Sequence, residues 1–387
     1  MNGTCKSPIR WGMVGGGEGA FIGGVHRIAA RLDGQYDLIA GAFSSDAERA
    51  RRSGAALGLP PERSYGSFEE MASTEAARPD GIEAVSIVTP NHMHLPVARA
   101  FMKAGIHVIC DKPLTTSAQA ARDFLAEQTN SDALFVLTHN YPGTPMVRQA
   151  REMVALGAIG TLRHVQVEYV QDWLTEPADA ANKQAAWRTD PSKSGAAGAL
   201  GDIGTHAYQL ACFVTGQRAG RVAADLTAFV PGRQVDDNAA ILMRYPSGAK
   251  GMLWASQVSP GNENGLSIRV YGDTGGLEWQ QENPNRLWFT RFGEPKQLLT
   301  RGGAGANAAA NAVTRVPGGH PEGYLEAFAT IYTSAAQAIR AHRGGLDPAQ
   351  EFLLTTLEEG VHGMAFVDAC LRSSARDASW EPIQTQL

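Results

Sequence analysis

Cysteine is scarce and scattered: the four in 387 residues (Cys5, Cys110, Cys212 and Cys370) form no CxxC pair, which argues against a disulfide framework and against a thiolate zinc site. Reduced thiols and a cytoplasmic setting are expected. Long apolar runs are missing too. No stretch approaches the ~18 consecutive apolar residues of a membrane helix, and the first apolar stretch, Trp11-Gly12-Met13-Val14, runs straight into glycines and is too short for the core of a targeting peptide. No membrane association is expected. Nor is there an excess of charge: 34 basic against 39 acidic residues give a net of −5 with no basic cluster, so nucleic acid is not an expected partner. What remains, 43% hydrophobic and 19% charged, is the composition of a globular chain too long for one comfortable core and suited to two domains.

Glycine, by contrast, is abundant, and its first cluster is placed. Ile9-Arg10-Trp11-Gly12-Met13-Val14 reads as a strand, Gly15-Gly16-Gly17-Glu18-Gly19-Ala20 as a turn, and 21–31 as a helix that opens with Phe21 and Ile22. Strand, glycine turn and helix in that order form a dinucleotide fingerprint: Gly15 for the tight turn, Gly17 for backbone approach to a pyrophosphate, Ala20 for close helix packing, with the helix amino terminus facing the phosphates. A second strand, 38–43, ends at Ser44-Ser45-Asp46. Asp46 could bind the adenosine ribose, which selects NAD; Ser44, Ser45 and Arg49 could instead accept the 2′-phosphate of NADP, or the arginines could be a solvated helix face. The choice leans to NAD.

Further strands end at further polar residues. The run 84–89 leads into Thr89-Pro90-Asn91-His92-Met93-His94 and a helix over 95–104. The pair His92 and His94 lacks an acid or thiol to complete a metal site, and no metal is expected. Val108-Ile109-Cys110 reads as a short buried strand that Asp111-Lys112-Pro113 stops, since proline cannot donate to the ladder. Lys112 then sits at a strand's carboxyl end, where open α/β sheets bind ligands, and a lysine there can supply charge or a proton to a reacting oxygen; the alternative is a surface lysine before a turn. A helix over 116–127 and a strand over 133–138 continue the alternation to about residue 140.

Beyond Tyr141 the pattern changes. A helix over 145–156, a long strand over 161–170 and a loop carrying Trp187-Arg188 precede successive strand-like runs between 222 and 300, parted by turns such as Pro246-Ser247-Gly248. Such runs make an antiparallel sheet. Residues 301–319, rich in Gly and Ala, read as a flexible loop, and two helices follow. Within this half, Gly201-Asp202-Ile203-Gly204-Thr205-His206 opens a helix. Its four-residue spacing would put Asp202 and His206 on one face, an acid orienting an imidazole for proton transfer; the alternative is a helix-start acid with an incidental histidine.

Together the glycine turn, Thr89-Pro90-Asn91-His92-Met93-His94, Asp111-Lys112-Pro113 and Gly201 to His206 resemble, in order and spacing, the glucose-fructose oxidoreductase / inositol dehydrogenase (Gfo/Idh/MocA) family. The resemblance implies an α/β fold: a Rossmann doubly wound parallel sheet over 1–140, then an α+β domain over 141–387 whose large open, mostly antiparallel sheet binds substrate and joins subunits into a homo-oligomer. It implies NAD or NADP bound with help from Asp111, Lys112, Asn140, Trp187 and Arg188, and Lys112, Asp202 and His206 as the catalytic set at the nicotinamide. Tyr141 and His320 join those three as candidates to bind a polyol. Asp111 stands where relatives usually have glutamate. The implied reaction is hydride transfer between a secondary alcohol of a sugar, glycoside or cyclitol and the nicotinamide. The same scaffold also hosts NAD-dependent glycosidases, for which His139 and Tyr141 could assist elimination, and regulators that bind dinucleotide without turnover.

Overall fold

The computed structural model describes residues 7–128, 131–177, 188–343 and 352–384. By compactness the chain divides into two units: Met1–Thr115 with Ala120–Thr138 and Phe328–Gly360, and Thr116–Gln119 with His139–Ala327 and Val361–Leu387. A single cut at 140 therefore misses a segment that returns late to the first unit. The reason is packing: the Tyr332 ring meets Trp11 and Tyr36 edge-on, and the Tyr332 carbonyl accepts the Tyr36 hydroxyl at 3.0 Å.

The first unit is built on β1 (Ile9–Gly15), α1 (Phe21–Leu32), β2 (Tyr36–Ala42), α2 (Ala47–Ala56), α3 (Phe68–Ala77), β3 (Ala84–Val88), α4 (His94–Lys103), β4 (His107–Asp111), α5 (Ala118–Glu127, which starts in the other unit) and β5 (Phe135–Thr138). All five strands are parallel, in the order β2-β1-β3-β4-β5. Sheets covered on both faces need strands apolar on both sides, and β3 is buried at every position. Its one polar residue, Ser86, is satisfied by the indole N–H of Trp11 at 2.9 Å. Helix α3, an addition to the expected elements, starts with a reciprocal cap: Ser67 accepts the Glu70 amide and Glu70 reaches back to the Gly66 amide. Strand order reverses beside β1, so the carboxyl ends of β1 and β3 flank the point where such sheets bind ligands.

The second unit comprises α6 (Pro145–Ala155), β6 (Leu162–Val170), α7 (Pro191–Ser194), a π turn (Leu200–Gly204), α8 (Thr205–Thr215), β7 (Arg221–Thr227), β8 (Asn238–Arg244), β9 (Lys250–Ser256), β10 (Gly265–Gly272), β11 (Gly275–Gln280), β12 (Arg286–Arg291), β13 (Gln297–Thr300), α9 (Ala308–Asn311) and the start of α10 (Tyr324–Arg343), then most of α11 (Leu357–Ser374) and β14 (Glu381–Pro382). Its nine strands run β13-β12-β11-β10-β6-β9-β8-β7-β14. Every pair is antiparallel except β6 with β9. Strand β8 alternates buried and exposed residues, so one face of this sheet carries the core and the other does not.

The expectation of a flexible loop over 301–319 is overturned. Arg301, 2% exposed, donates to Asn285 Oδ1, to the carbonyls of Val316, Pro317 and His320, and to Glu322 Oε1, which also accepts the amides of Arg315 and Val316. A guanidinium fork with an ionic partner folds the glycine-rich segment around itself. Composition signalled a loop; a long-range side-chain hub ordered it.

Candidate active site

In the first unit the glycine turn follows β1. Gly15 has φ +79°, and a β-carbon there would lie 2.8 Å from the Val88 carbonyl oxygen, so close approach of β1 to β3 requires glycine. Three side chains brace the turn: Arg27 donates to the Gly16 carbonyl (2.7 Å), Arg49 to the Glu18 carbonyl (2.6 Å), and Ser53 accepts the Glu18 amide (3.1 Å). None of the three was expected in this role: Arg49 was a candidate for the 2′-phosphate, and Arg27 and Ser53 lie outside any motif. The turn closes with the Ala20 amide on the Gly17 carbonyl at 3.0 Å.

Asp46 caps α2 by accepting the Arg49 amide at 2.7 Å and Ser67 caps α3, whereas α1, like α4 and α6, has no side-chain cap and no acid in its first turn; its N-cap is Ala20, at the end of the glycine turn. Its first amides are left for an anionic group, and Phe21 beside them is 68% exposed with Ile22 half-buried. A dinucleotide's phosphates fit that position. A second observation agrees: Thr89 Oγ1, at the end of β3, is buried without a hydrogen-bond partner among the described residues. Pro90 is exposed and Asn91 buried beside it. Past β2, Ser44 accepts the Asp46 amide at 3.1 Å, and Ser45 and Asp46 are exposed.

His94, which the sequence offered as a cofactor-binding candidate, faces two backbone carbonyls. Its Nδ1 lies 2.7 Å from the Pro113 carbonyl and its Nε2 2.9 Å from the Thr89 carbonyl, so the ring bolts the ends of β3 and β4 together. Burial lowers its pKa, while Asp111 and the two carbonyls pull it back up. Asp111 Oδ1 accepts the Lys112 amide (2.9 Å) and the Thr138 hydroxyl (3.1 Å), which orients the strand end that presents Lys112. Behind it His26 Nε2 is 4.0 Å away, and His26 Nδ1 meets the Tyr332 hydroxyl at 2.7 Å, itself 2.6 Å from Ser86. Burial, outweighing Asp111, drops His26 to about 4, so it is neutral.

In the second unit Asp202 and His206 are not on one regular helix: Asp202 lies in the π turn and His206 in the first turn of α8. π turns recur at functional sites because the extra residue re-aims side chains. The segment is anchored by Asp236, whose carboxylate accepts the amides of Gly198 and Leu200, both at 2.7 Å. Burial raises Asp236 to about 6 against the opposing pull of those amides. Gly198 is required by proximity, since a β-carbon there would sit 2.0 Å from the Asp236 carbonyl oxygen. No local motif announces Asp236; the contact spans 36 and 38 residues of chain.

Asp202 Oδ2 accepts from Arg188 Nε (3.1 Å) and Gln257 Nε2 (3.0 Å), and His206 Nδ1 faces His139 Nδ1 at 3.3 Å. The Tyr141 ring centroid lies 5.1 Å from that of His206. A chain of polar groups extends from it: Tyr169 donates to Asn264 Oδ1 (2.8 Å), so the Tyr141 hydroxyl, 2.6 Å from that of Tyr169, donates to Tyr169. Gln171 donates to the same Asn264 oxygen at 2.8 Å. Burial lifts Tyr141 to about 12 and Tyr169 further, so both phenols stay protonated. Asn140 Nδ2 is buried without a partner among the described residues. Tyr169, Gln171, Gln257 and Asn264 lay outside the sequence-based set; the alternation of β6 marks Tyr169 as inward-facing but not as functional. His320 is exposed, in the loop that Arg301 holds, with Nδ1 3.3 Å from the Pro317 carbonyl. Trp187 lies outside the described residues. No cluster of three or more metal-ligating side chains occurs among the described residues.

Comparison with known proteins agrees with this architecture. Residues 9–139 match the oxidoreductase family with an NAD-binding Rossmann fold, and residues 147–278 match the GFO/IDH/MocA C-terminal domain. An uncharacterized oxidoreductase of Bacillus subtilis, YfiI, is 35% identical over 97% of both chains. An oxidoreductase from Sinorhizobium meliloti has a crystal structure 57% identical to this chain, with TM-score 0.88 over 97% of this chain and 99% of that one. An inositol dehydrogenase homologue from Azotobacter vinelandii in complex with NAD+ is 37% identical, with TM-score 0.93 over 97% of each chain; it is also known with NADH and myo-inositol, at 36% identity and TM-score 0.90 over 97% of this chain and 98% of that one. With a parallel dinucleotide-binding sheet, a nine-stranded second sheet and both family models matched in order, this chain belongs to the GFO/IDH/MocA family of NAD-binding oxidoreductases.

Proposed function

We propose that the protein is an NAD-dependent dehydrogenase that oxidises a secondary alcohol of a cyclitol or sugar. The observation that carries the reading is a polar cluster in the second unit: a buried imidazole, His206, against the phenols of Tyr141 and Tyr169, with Asn264 bonded to Tyr169 and Gln257 to the nearby Asp202. A polyol needs such alternating donors and acceptors around its ring, and a base for one hydroxyl. The A. vinelandii relative's complex with myo-inositol supports the same substrate class.

NAD, held at the glycine turn and the end of β3, would supply the acceptor for the hydride of the carbinol carbon. His206 takes the hydroxyl proton, Asp202 holds the charge balance while Arg188 and Gln257 fix its carboxylate, and Lys112 supplies the positive charge that stabilises the developing alkoxide. Tyr141 donates inward to Tyr169, which leaves its oxygen lone pairs for a substrate hydroxyl. Asn140 and Arg188 are assigned to the dinucleotide and His320 to substrate. We assign NAD over NADP on the exposed Asp46 past β2, with Arg49 bonded to the Glu18 carbonyl through one of its N–H groups.

The second unit supports self-association. Leu242, Met252, Gln166, Arg269, Glu278, Trp288 and Leu298 are directly paired from strand to strand, and none is buried, so one row of apolar and charged side chains crosses the uncovered face. We assign this face to a homo-oligomer contact. No described helix is long and apolar enough to cross a membrane, and Cys110, Cys212 and Cys370 form no disulfide among the described residues, which is in keeping with a cytoplasmic enzyme.

The test is a panel of cyclitols, sugars and glycosides with NAD and NADP. Stoichiometric NADH with the glycosidic bond intact is expected. Aglycone release from a nitrophenyl glycoside without NADH accumulation, or an NADP preference above about tenfold in kcat/KM, would reverse the respective assignment.

A further inference from the structure

His139 is 7% exposed and directly follows β5, and the mechanism above gives it no work. Yet its Nδ1 points at the Nδ1 of His206, 3.3 Å away, with the two rings perpendicular and their centroids 5.0 Å apart. A hydrogen bond between two ring nitrogens needs one N–H and one lone pair, so the facing atoms hold one proton between them. Which ring owns that proton decides the other nitrogen of a neutral His206. If His206 carries Nδ1–H, its Nε2 is a lone pair and can act as a base. If His139 carries it, neutral His206 bears Nε2–H and can act as an acid.

We propose that His139 is the positioning residue and proton store behind His206, which sets its tautomer and takes the proton onward during turnover. The inference rests on the functional reading above, in which His206 handles the hydroxyl proton. In the oxidation direction the substrate O–H bond breaks as Nε2–H forms on His206, and the His206 Nδ1–H bond breaks as Nδ1–H forms on His139. Each bonding pair stays on the atom the proton leaves. His206 ends neutral, as it began, with its tautomer exchanged, and the positive charge rests on His139; in reduction the same bonds exchange in reverse. The surroundings suit this. Tyr141, from the turn after β5, and Tyr169, from β6, flank His206 as phenols that burial keeps protonated, and Asp202, in the π turn just before His206 in the chain, is bound to Arg188. A proton shared by two rings also lets His206 return to its starting charge without direct access to water.

The test uses the full-length protein with ring-15N histidine, followed by long-range 1H–15N correlation between pH 5 and 9, with His206 identified by the signals lost in His206→Gln. In the wild type the two imidazoles are expected to titrate as a coupled pair, with apparent steps more than about one pH unit apart. In His139→Asn, whose amide can occupy the Nδ1 position but cannot accept the proton, His206 should titrate in a single step. The acid limb of kcat/KM should move with it, and kcat should fall on the order of 10²-fold. His139→Phe, which keeps ring volume without a nitrogen, should reproduce the titration change. Unaltered His206 titration and an unmoved pH profile in both variants, even with lower kcat, would reduce His139 to packing and overturn the proposal. If no polyol reduced NAD, the functional reading and the relay would fall together, and the titration would then record a bonded pair only; retained polyol oxidation with an unmoved profile would sink the relay alone.

Discussion

The two units hold their functional groups by different physics. In the first, Gly15, Thr89, Asp111 and Lys112 stand at the carboxyl ends of adjacent parallel strands, so backbone register places them and neighbouring side chains such as His94 only lock the ends together. In the second, His206 and Asp202 depend on side chains from other segments: Asp236 under the π turn, His139 against the imidazole, Gln257 and Arg188 on the carboxylate. A strand end is robust to side-chain change. A side-chain lattice is not, and single substitutions there should separate catalysis from folding.

The largest effects are expected at the groups proposed to react, one from each unit. Lys112→Ala and His206→Ala should each lower kcat by about 10² to 10⁴ with dinucleotide affinity largely kept, read by steady-state kinetics beside fluorescence titration with NADH. Near-normal turnover in either would break the pairing of the two units' roles.

Next comes the contrast between the sheets. Ile87, fully buried in β3, should cost about 2–5 kcal/mol when changed to Ala, measured by urea unfolding. Leu242, 49% exposed in β8, should cost the chain's own fold no more than about 0.5 kcal/mol as Leu242→Ala. If the uncovered face joins subunits, Leu242→Arg should lower the mass seen by light scattering while Ile87→Ala does not. An unchanged mass would remove the second sheet's role in assembly.

Asp236 gives a pH test of the lattice. Its folded pKa of about 6 is above the ordinary value of 3.8, so the folded state binds this proton more tightly than the unfolded state. Its contribution to stability is therefore present below about pH 4 and lost as pH rises through about 6. The gap corresponds to roughly 3 kcal/mol at full ionisation. Asp236→Asn should flatten that slope and be the more stable protein, relative to wild type, at pH 7.5 than at pH 4.5. It should nevertheless lose turnover, because an amide can satisfy only one of the two N–H groups at Gly198 and Leu200 as an acceptor. The smallest effect is at Arg49: Arg49→Ala should loosen NAD binding by about tenfold or less through the Glu18 carbonyl, without a gain or loss of NADP discrimination.

What the chain's linear order determined was everything made locally or repeated along it. The glycine turn, the strand ends at Thr89 and Lys112 and the alternation of the second sheet were readable because they need only short-range rules: positive φ demands glycine, proline ends a ladder, and period two marks a half-buried strand. Tertiary structure decided the rest. It turned residues 301–319 from an apparent loop into a segment wrapped on Arg301, and sent 328–360 back to the first unit so that Tyr332 could fill the polar gap between Ser86 and His26. It also moved Asp202 from a regular helix into a π turn clamped by Asp236, and set His139 against His206. These choices join residues from 15 to 306 positions apart. No local preference encodes such pairs, since buried polar atoms take whichever partner the finished packing brings within reach.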